Sequence, residues 1–256
     1  MTRKILKNKP LIEAIFEIRW ELKEIAEGLK TDPHYKILVG SLYSQLKNEY
    51  PYHETLPAAS IPDEIAGHVI QHRFRTEKNK WPLIQIGPGI LTVNDTEGYI
   101  WEDFEKKVIH VINVLLHNYP EPDNLRIASL MLRYIDAVEF DFESEGVFDF
   151  LSEKMKMTII PYPGFFKDTG VAPTPQAFDW RFSFPCAKPA GLIHLRFIRG
   201  KKENADALIW ETMVQSSSEQ VPLIQNDLGN WLNEAHDLTD DWFFKIIAGE
   251  LEGRFE

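Results

Sequence analysis

The chain has 256 residues, a formal net charge of -11, and 44% hydrophobic and 12% aromatic residues, enough to bury a substantial core in one large domain or two fused halves. Its 39 Asp and Glu against 28 Lys and Arg argue against a surface that tracks nucleic acid throughout, because phosphate binding needs a basic stripe. The single cysteine, Cys186, can form neither an internal disulfide nor a cysteine-only metal site, which points to a reducing compartment.

The apolar stretch near the N-terminus is broken by Glu13, Glu17 and Arg19, so it reads as neither signal peptide nor membrane span. A cytoplasmic protein without a membrane partner is the expectation. Residues 12–20 alternate, with Ile12, Ala14, Phe16, Ile18 and Trp20 on one side, and predict a half-buried strand. Asp32 and Pro33 read as the cap and first position of a helix that stops at Tyr50, with Tyr35, Leu38, Val39, Leu42 and Leu46 at helical spacing.

Residues 68–75, 81–86 and 90–94 predict three short strands. Trp101, Phe104, Val108, Val111, Ile112, Leu115 and Tyr119 then mark the apolar stripe of a long helix closed by Pro120, with Asp95 or Thr96 as its cap. A long strand over 126–142 and a short helix over 147–155 come next, then strands at 180–184, 192–199 and 207–214. Two C-terminal helices are expected over 222–237 and 240–251, the second capped by Thr239.

Element order in 1–124, strand, helix, three strands, helix, recurs in 125–256. The fold class expected is therefore α+β: antiparallel sheet with helices on one face, in which two β-α-β-β-β-α halves arise by duplication or by coincidence of common elements. The Pro- and Gly-rich segment before Trp180 carries Phe165 and Phe166, and reads as a partner-docking loop or a disordered flap.

In Gly87-Pro88-Gly89 the second apolar run is a strand rather than a helix, and Pro88 removes a donor that a phosphate cradle would use. A turn is expected. Asn94, Tyr99 and Trp101 gather polar caps and aromatics where strand gives way to helix, as core and capping residues or as a binding edge. The most unusual residue is Asp136. It shares the apolar face of its strand with Leu130, Leu132, Tyr134 and Val138, a costly place for an acid without a partner. It reads as a structural carboxylate, as a general acid or base with a raised pKa, or as a residue exposed by a bulge near Arg133.

Arg133 lies on the opposite face. Arg19, Arg73, Arg75, Arg181, Arg196 and Arg199 also fall in or beside strands, as solvated surface or as a face for an anionic ligand. His68 and His72 share a strand face without a third ligand, so neither a metal site nor a cofactor is expected.

The segments LIEAIFEIRW, WPLIQIGPGILTVND with GYIWEDF, and LRYIDAVEF together resemble an uncharacterised, sporadically distributed bacterial protein family of about this length, most clearly over the first 140 residues. Where the third motif of that family more often reads Arg-Tyr-Ile-Asn, this chain has Asp136. The resemblance implies a gene carried with mobile, toxin–antitoxin or defence-type loci, and so a protein that binds and regulates others. The leading functional expectation is a non-catalytic binding protein whose partner is another protein or a second copy of itself. The alternatives are an enzyme or sensor for a small anionic ligand or nucleotide, with Asp136 and Tyr134 at its centre, and a nucleic-acid-binding protein.

Overall fold

The computed structural model describes residues 4, 6–96 and 98–256. Its centre is a nine-stranded, fully antiparallel sheet. The first half supplies β1 (Leu11–Trp20), a small separate hairpin of β2 (Lys23–Ala26) and β3 (Leu29–Thr31), α1 (Tyr35–Leu46), β4 (Tyr52–Thr55), β5 (His72–Arg75), β6 (Leu83–Gly87), β7 (Ile90–Asp95) and α2 (Trp101–Asn118). The second half supplies β8 (Ile127–Glu139), α3 (Val147–Lys154), β9 (Asp179–Ala187), β10 (Ala190–Lys202), β11 (Ala205–Ser217), α4 (Ile224–Ile247) and α5 (Glu250–Gly253).

Strand order is β4-β5-β6-β7-β1-β8-β11-β10-β9. Read outward from the central β1–β8 pair, β1-β7-β6-β5 on one side matches β8-β11-β10-β9 on the other. The α+β class and the one-sided helices are as the sequence predicts. The even-numbered residues of β1, Ala14, Phe16, Ile18 and Trp20, face α1, α2 and α4 together with Leu130, Leu132 and Val93. A second cluster packs α3, the end of α4 and α5 against Val138, Leu195, Phe197, Leu208 and Trp210 of the same sheet face. Among the described residues no helix is long and apolar enough to cross a membrane.

Several local expectations are corrected. The C-terminal pair of helices is one helix, α4. Thr239 does not cap a new one, because its hydroxyl donates back to the carbonyls of Ala235 and His236, a bond that keeps a threonine inside a helix. Asp32 does not cap α1, whose N-cap is His34. Its carboxylate instead accepts from the His34 N–H, the Trp20 indole and the Gly89 N–H, joining β1 to the β6–β7 turn. Neither Asp95 nor Thr96 caps α2, which starts after Ile100. Asp95 pairs with Lys107 and Thr96 donates to the Ile12 carbonyl.

The glycine motif is the turn between β6 and β7, in which Gly87 pairs with Ile90 and Gly89 adopts a φ of 75°. Gly87 is required for a different reason. A Cβ there would lie 1.9 Å from the Val69 carbonyl oxygen.

Candidate functional site

Asp136 keeps to the buried face of β8 and is 2% exposed. The strand irregularity lies in β1, where Leu11 pairs with Asp136 and Glu13 with Ile135, so one extra residue is taken up opposite the acid and the acid itself is not turned outward. On the other side Trp210 and Thr212 of β11 pair with Asp136 and Tyr134. The segment leading into β1 runs alongside, fixed where the Ala137 N–H donates to the Pro10 carbonyl.

Above this floor is a cavity of about 140 Å³. Its walls come from four places: Lys4, Leu6, Lys9 and Pro10 before β1, Tyr99 to Glu102 at the start of α2, Leu11, Tyr134, Asp136 and Thr212 on the sheet, and His236, Thr239, Asp240, Phe243 and Phe244 on α4. Tyr99 is set by a turn closed from its N–H to the Thr96 carbonyl. Trp101 opens α2, and His236 belongs to the buried stripe of α4 with Leu228, Leu232 and Ala235, so the two helices bring their rings into a stack 3.9 Å apart and 9° from parallel.

A hydrogen-bond chain lines one wall. The Tyr134 hydroxyl bonds the Tyr99 hydroxyl at 2.8 Å and His236 Nδ1 at 2.9 Å. The Asp136 carboxyl has no hydrogen-bond partner among the described residues, and burial alone pushes its pKa up to about 8, because the charged form has lost water and gained no counter-charge. The Thr212 hydroxyl and the Trp210 indole N–H beside it are also buried without partners. Of the nearby cations, Lys4 pairs with Glu252 and Glu256. Lys9 donates to the Tyr99 carbonyl, and burial lowers its pKa. The arrangement can hold a neutral carboxylic acid near pH 7 and pass a proton along two phenols and an imidazole.

Of the residues singled out in the sequence, Tyr99, Trp101, Tyr134 and Asp136 converge here. Asn94 does not. It lies on the opposite sheet face, where its amide donates to Glu13 and its carbonyl accepts from Thr92. Arg133 is on that face too, 3.8 Å from Glu211, and Arg196 bridges Glu211 and Asp179. Arg19, Arg73, Arg75, Arg181 and Arg199 likewise sit beside carboxylates, and none of these seven arginines lines the cavity.

Phe165 and Phe166 lie in the connection between α3 and β9, Phe165 exposed and Phe166 half-buried. His68 sits in a turn with its Nε2 on the Trp20 carbonyl, away from His72, which bonds His53. Among the described residues no three His, Cys, Asp or Glu side chains are grouped to hold a metal ion.

Sequence reasoning missed His236, Thr212 and the Lys4–Lys9 wall. The signal for His236 was a polar ring within an otherwise apolar helical stripe. No protein-family model, curated protein or solved structure matches the chain.

Proposed function

We propose that the protein binds a small molecule in the cavity over Asp136 and acts as a ligand-responsive protein. The observation that supports this most is a buried carboxyl without a hydrogen-bond partner among the described residues, facing a cavity walled by rings from two helices. Buried polar groups are normally paired, and cavities with few polar groups among apolar walls are the usual ligand sites. The α2 start, α4 and the pre-β1 segment all meet there, so an occupant would touch both halves of the chain.

A thermal-shift screen of small anions, cations and neutral compounds tests it. The expected result is a compound that raises the melting temperature of the wild type and not of Leu11→Trp, which puts a larger side chain into the lining. Equal shifts in both proteins, or none with any class, would count against the reading.

A second reading, binding to another protein, is favoured by one observation. Ile160, Tyr162, Phe165 and Val171 are all more than half exposed in the α3–β9 connection, and a group of exposed apolar side chains is a common mark of an interaction surface. Sedimentation over a range of concentrations, alone and with the products of neighbouring genes, checks it. The doubly substituted Tyr162→Ser, Phe165→Ser chain is expected to lose an association that the wild type makes. A wild type that stays monomeric and unpartnered sinks this reading.

A further inference from the structure

The ligand-binding reading leaves open the chemical class of the occupant, and the groups around the cavity select one. A buried aspartate offers two oxygens, and no cationic side chain among the described residues is close enough to hold it ionised. The Thr212 hydroxyl beside it is a further unused acceptor. The rings of Tyr99, Trp101, Tyr134, Phe243 and Phe244 form part of the remaining wall, and ring faces attract cations. An anion would need fixed positive charge, yet among the described residues Lys4 is committed to two glutamates, Lys9 donates to the Tyr99 carbonyl with its charged form disfavoured by burial, and the strand arginines sit beside acids elsewhere.

We propose that the cavity takes a small organic ammonium ion, with the Asp136 carboxylate as its counter-ion, the Thr212 hydroxyl as a second acceptor, and the rings of Tyr99, Trp101, Tyr134 and Phe243 around its apolar part. The inference rests on the ligand-binding reading. A cavity of this size accommodates one six-membered ring, by comparison with a dry cavity of about 150 Å³ that holds benzene.

The proposal has a protonation signature. Empty, Asp136 is neutral at pH 7, because burial holds its pKa near 8. An arriving cation favours the carboxylate, so binding releases a proton, and affinity rises with pH until Asp136 is ionised in the empty protein as well. The other titratable groups facing the cavity are Lys4 and Lys9 before β1, and Tyr99 and Glu102 around the start of α2. Tyr134 on β8 and His236 and Asp240 on α4 complete the set.

Benzylamine, benzyl alcohol and benzoate share one skeleton and differ in charge, so calorimetric titration of the full chain with each is a direct test. Benzylammonium is expected to bind at least tenfold more tightly than the other two, since a desolvated cation–π contact plus a counter-ion exceeds the roughly 1.4 kcal/mol that tenfold represents. Its affinity should increase between pH 6 and pH 8, with a heat that depends on the ionisation enthalpy of the buffer.

Asp136→Asn should bring benzylammonium down to the level of the alcohol, and Thr212→Val should weaken it a few-fold, both with unchanged circular dichroism. If benzoate or the alcohol binds as tightly as the amine, or if binding takes up a proton, the cation inference is overturned while the cavity reading stands. If none of the three binds the wild type, both fall.

Discussion

Asp136 and Trp210 face each other across β8 and β11, and each buries a polar group, a carboxyl and an indole N–H, that has no hydrogen-bond partner among the described residues. A paired strand position normally lets such groups satisfy one another. Here they remain separate, with Asp136 facing the cavity, and the cost of keeping them falls on the stability of the fold.

That cost has a definite pH dependence. The folded pKa of Asp136, about 8, lies above its ordinary value of 3.8, so between those limits the folded state binds more protons than the unfolded one. Stability therefore falls as pH rises from about 4 to about 8, by up to about 1.4 kcal/mol per pH unit, and the contribution is flat above. Urea denaturation of wild type and Asp136→Asn at pH 5, 6, 7 and 8 measures it. The gap between the two should move steadily in favour of the variant, and parallel curves would refute the unpartnered carboxyl.

Asp32 is a buried acid of the opposite kind. It is 7% exposed and accepts from the Trp20 indole, the Gly89 N–H and the His34 N–H at 2.9, 3.2 and 3.0 Å. Asp32→Ala leaves an indole and a turn amide without their acceptor, and is expected to cost about 2–4 kcal/mol. Chemical denaturation reads that loss, and a change below about 0.5 kcal/mol would show that the three contacts are dispensable.

The glycines separate in the same assay. Gly87→Ala forces a Cβ to within 1.9 Å of the Val69 backbone oxygen, and since backbone cannot rotate aside, a loss of more than about 3 kcal/mol or failure to fold is expected. Gly40 lies inside α1, and a Cβ added there would meet nothing within 4 Å. Gly40→Ala should raise stability by about 0.5–1 kcal/mol, seen as a higher melting temperature. The opposite ordering of the two variants would contradict the packing at the β6–β7 turn.

Periodicity made much of this fold legible. The alternation in β1 and β8 and the stripe of α2 are strong because each element buries one face fully. β4, with its polar Tyr-His-Glu-Thr, and the exposed β2–β3 hairpin were missed because neither buries a face, which leaves no alternation to read. The break expected at Thr239 failed because a hydroxyl can bond within its own helix as readily as it caps one. Asp136 was visible as an acid on an apolar strand face that also carries Tyr134, and Tyr99 and Trp101 as aromatics gathered where strand gives way to helix. His236 and Thr212 were not, because only the antiparallel pairing of β8 with β11 and the packing of α4 on that face bring them to the same place, and a single sequence does not contain that pairing.

Tyr134 is the link that joins those separate elements. Its hydroxyl is bonded to Tyr99, which precedes α2, and to His236 on α4, so one oxygen connects the sheet to both helices around the cavity. Tyr134→Phe removes both of these hydrogen bonds and should cost about 1–3 kcal/mol, whereas Tyr99→Phe removes only the link between the two hydroxyls from this chain and should cost less. The ring of His236 keeps its stack on Trp101 in either variant, so the effect on His236 is one of hydrogen bonding and not of position. Nitrogen NMR of the imidazole distinguishes these. The Nδ1 resonance of His236 should shift strongly in Tyr134→Phe and only slightly in Tyr99→Phe, and equal shifts would mean that the imidazole does not depend on the Tyr134 hydroxyl.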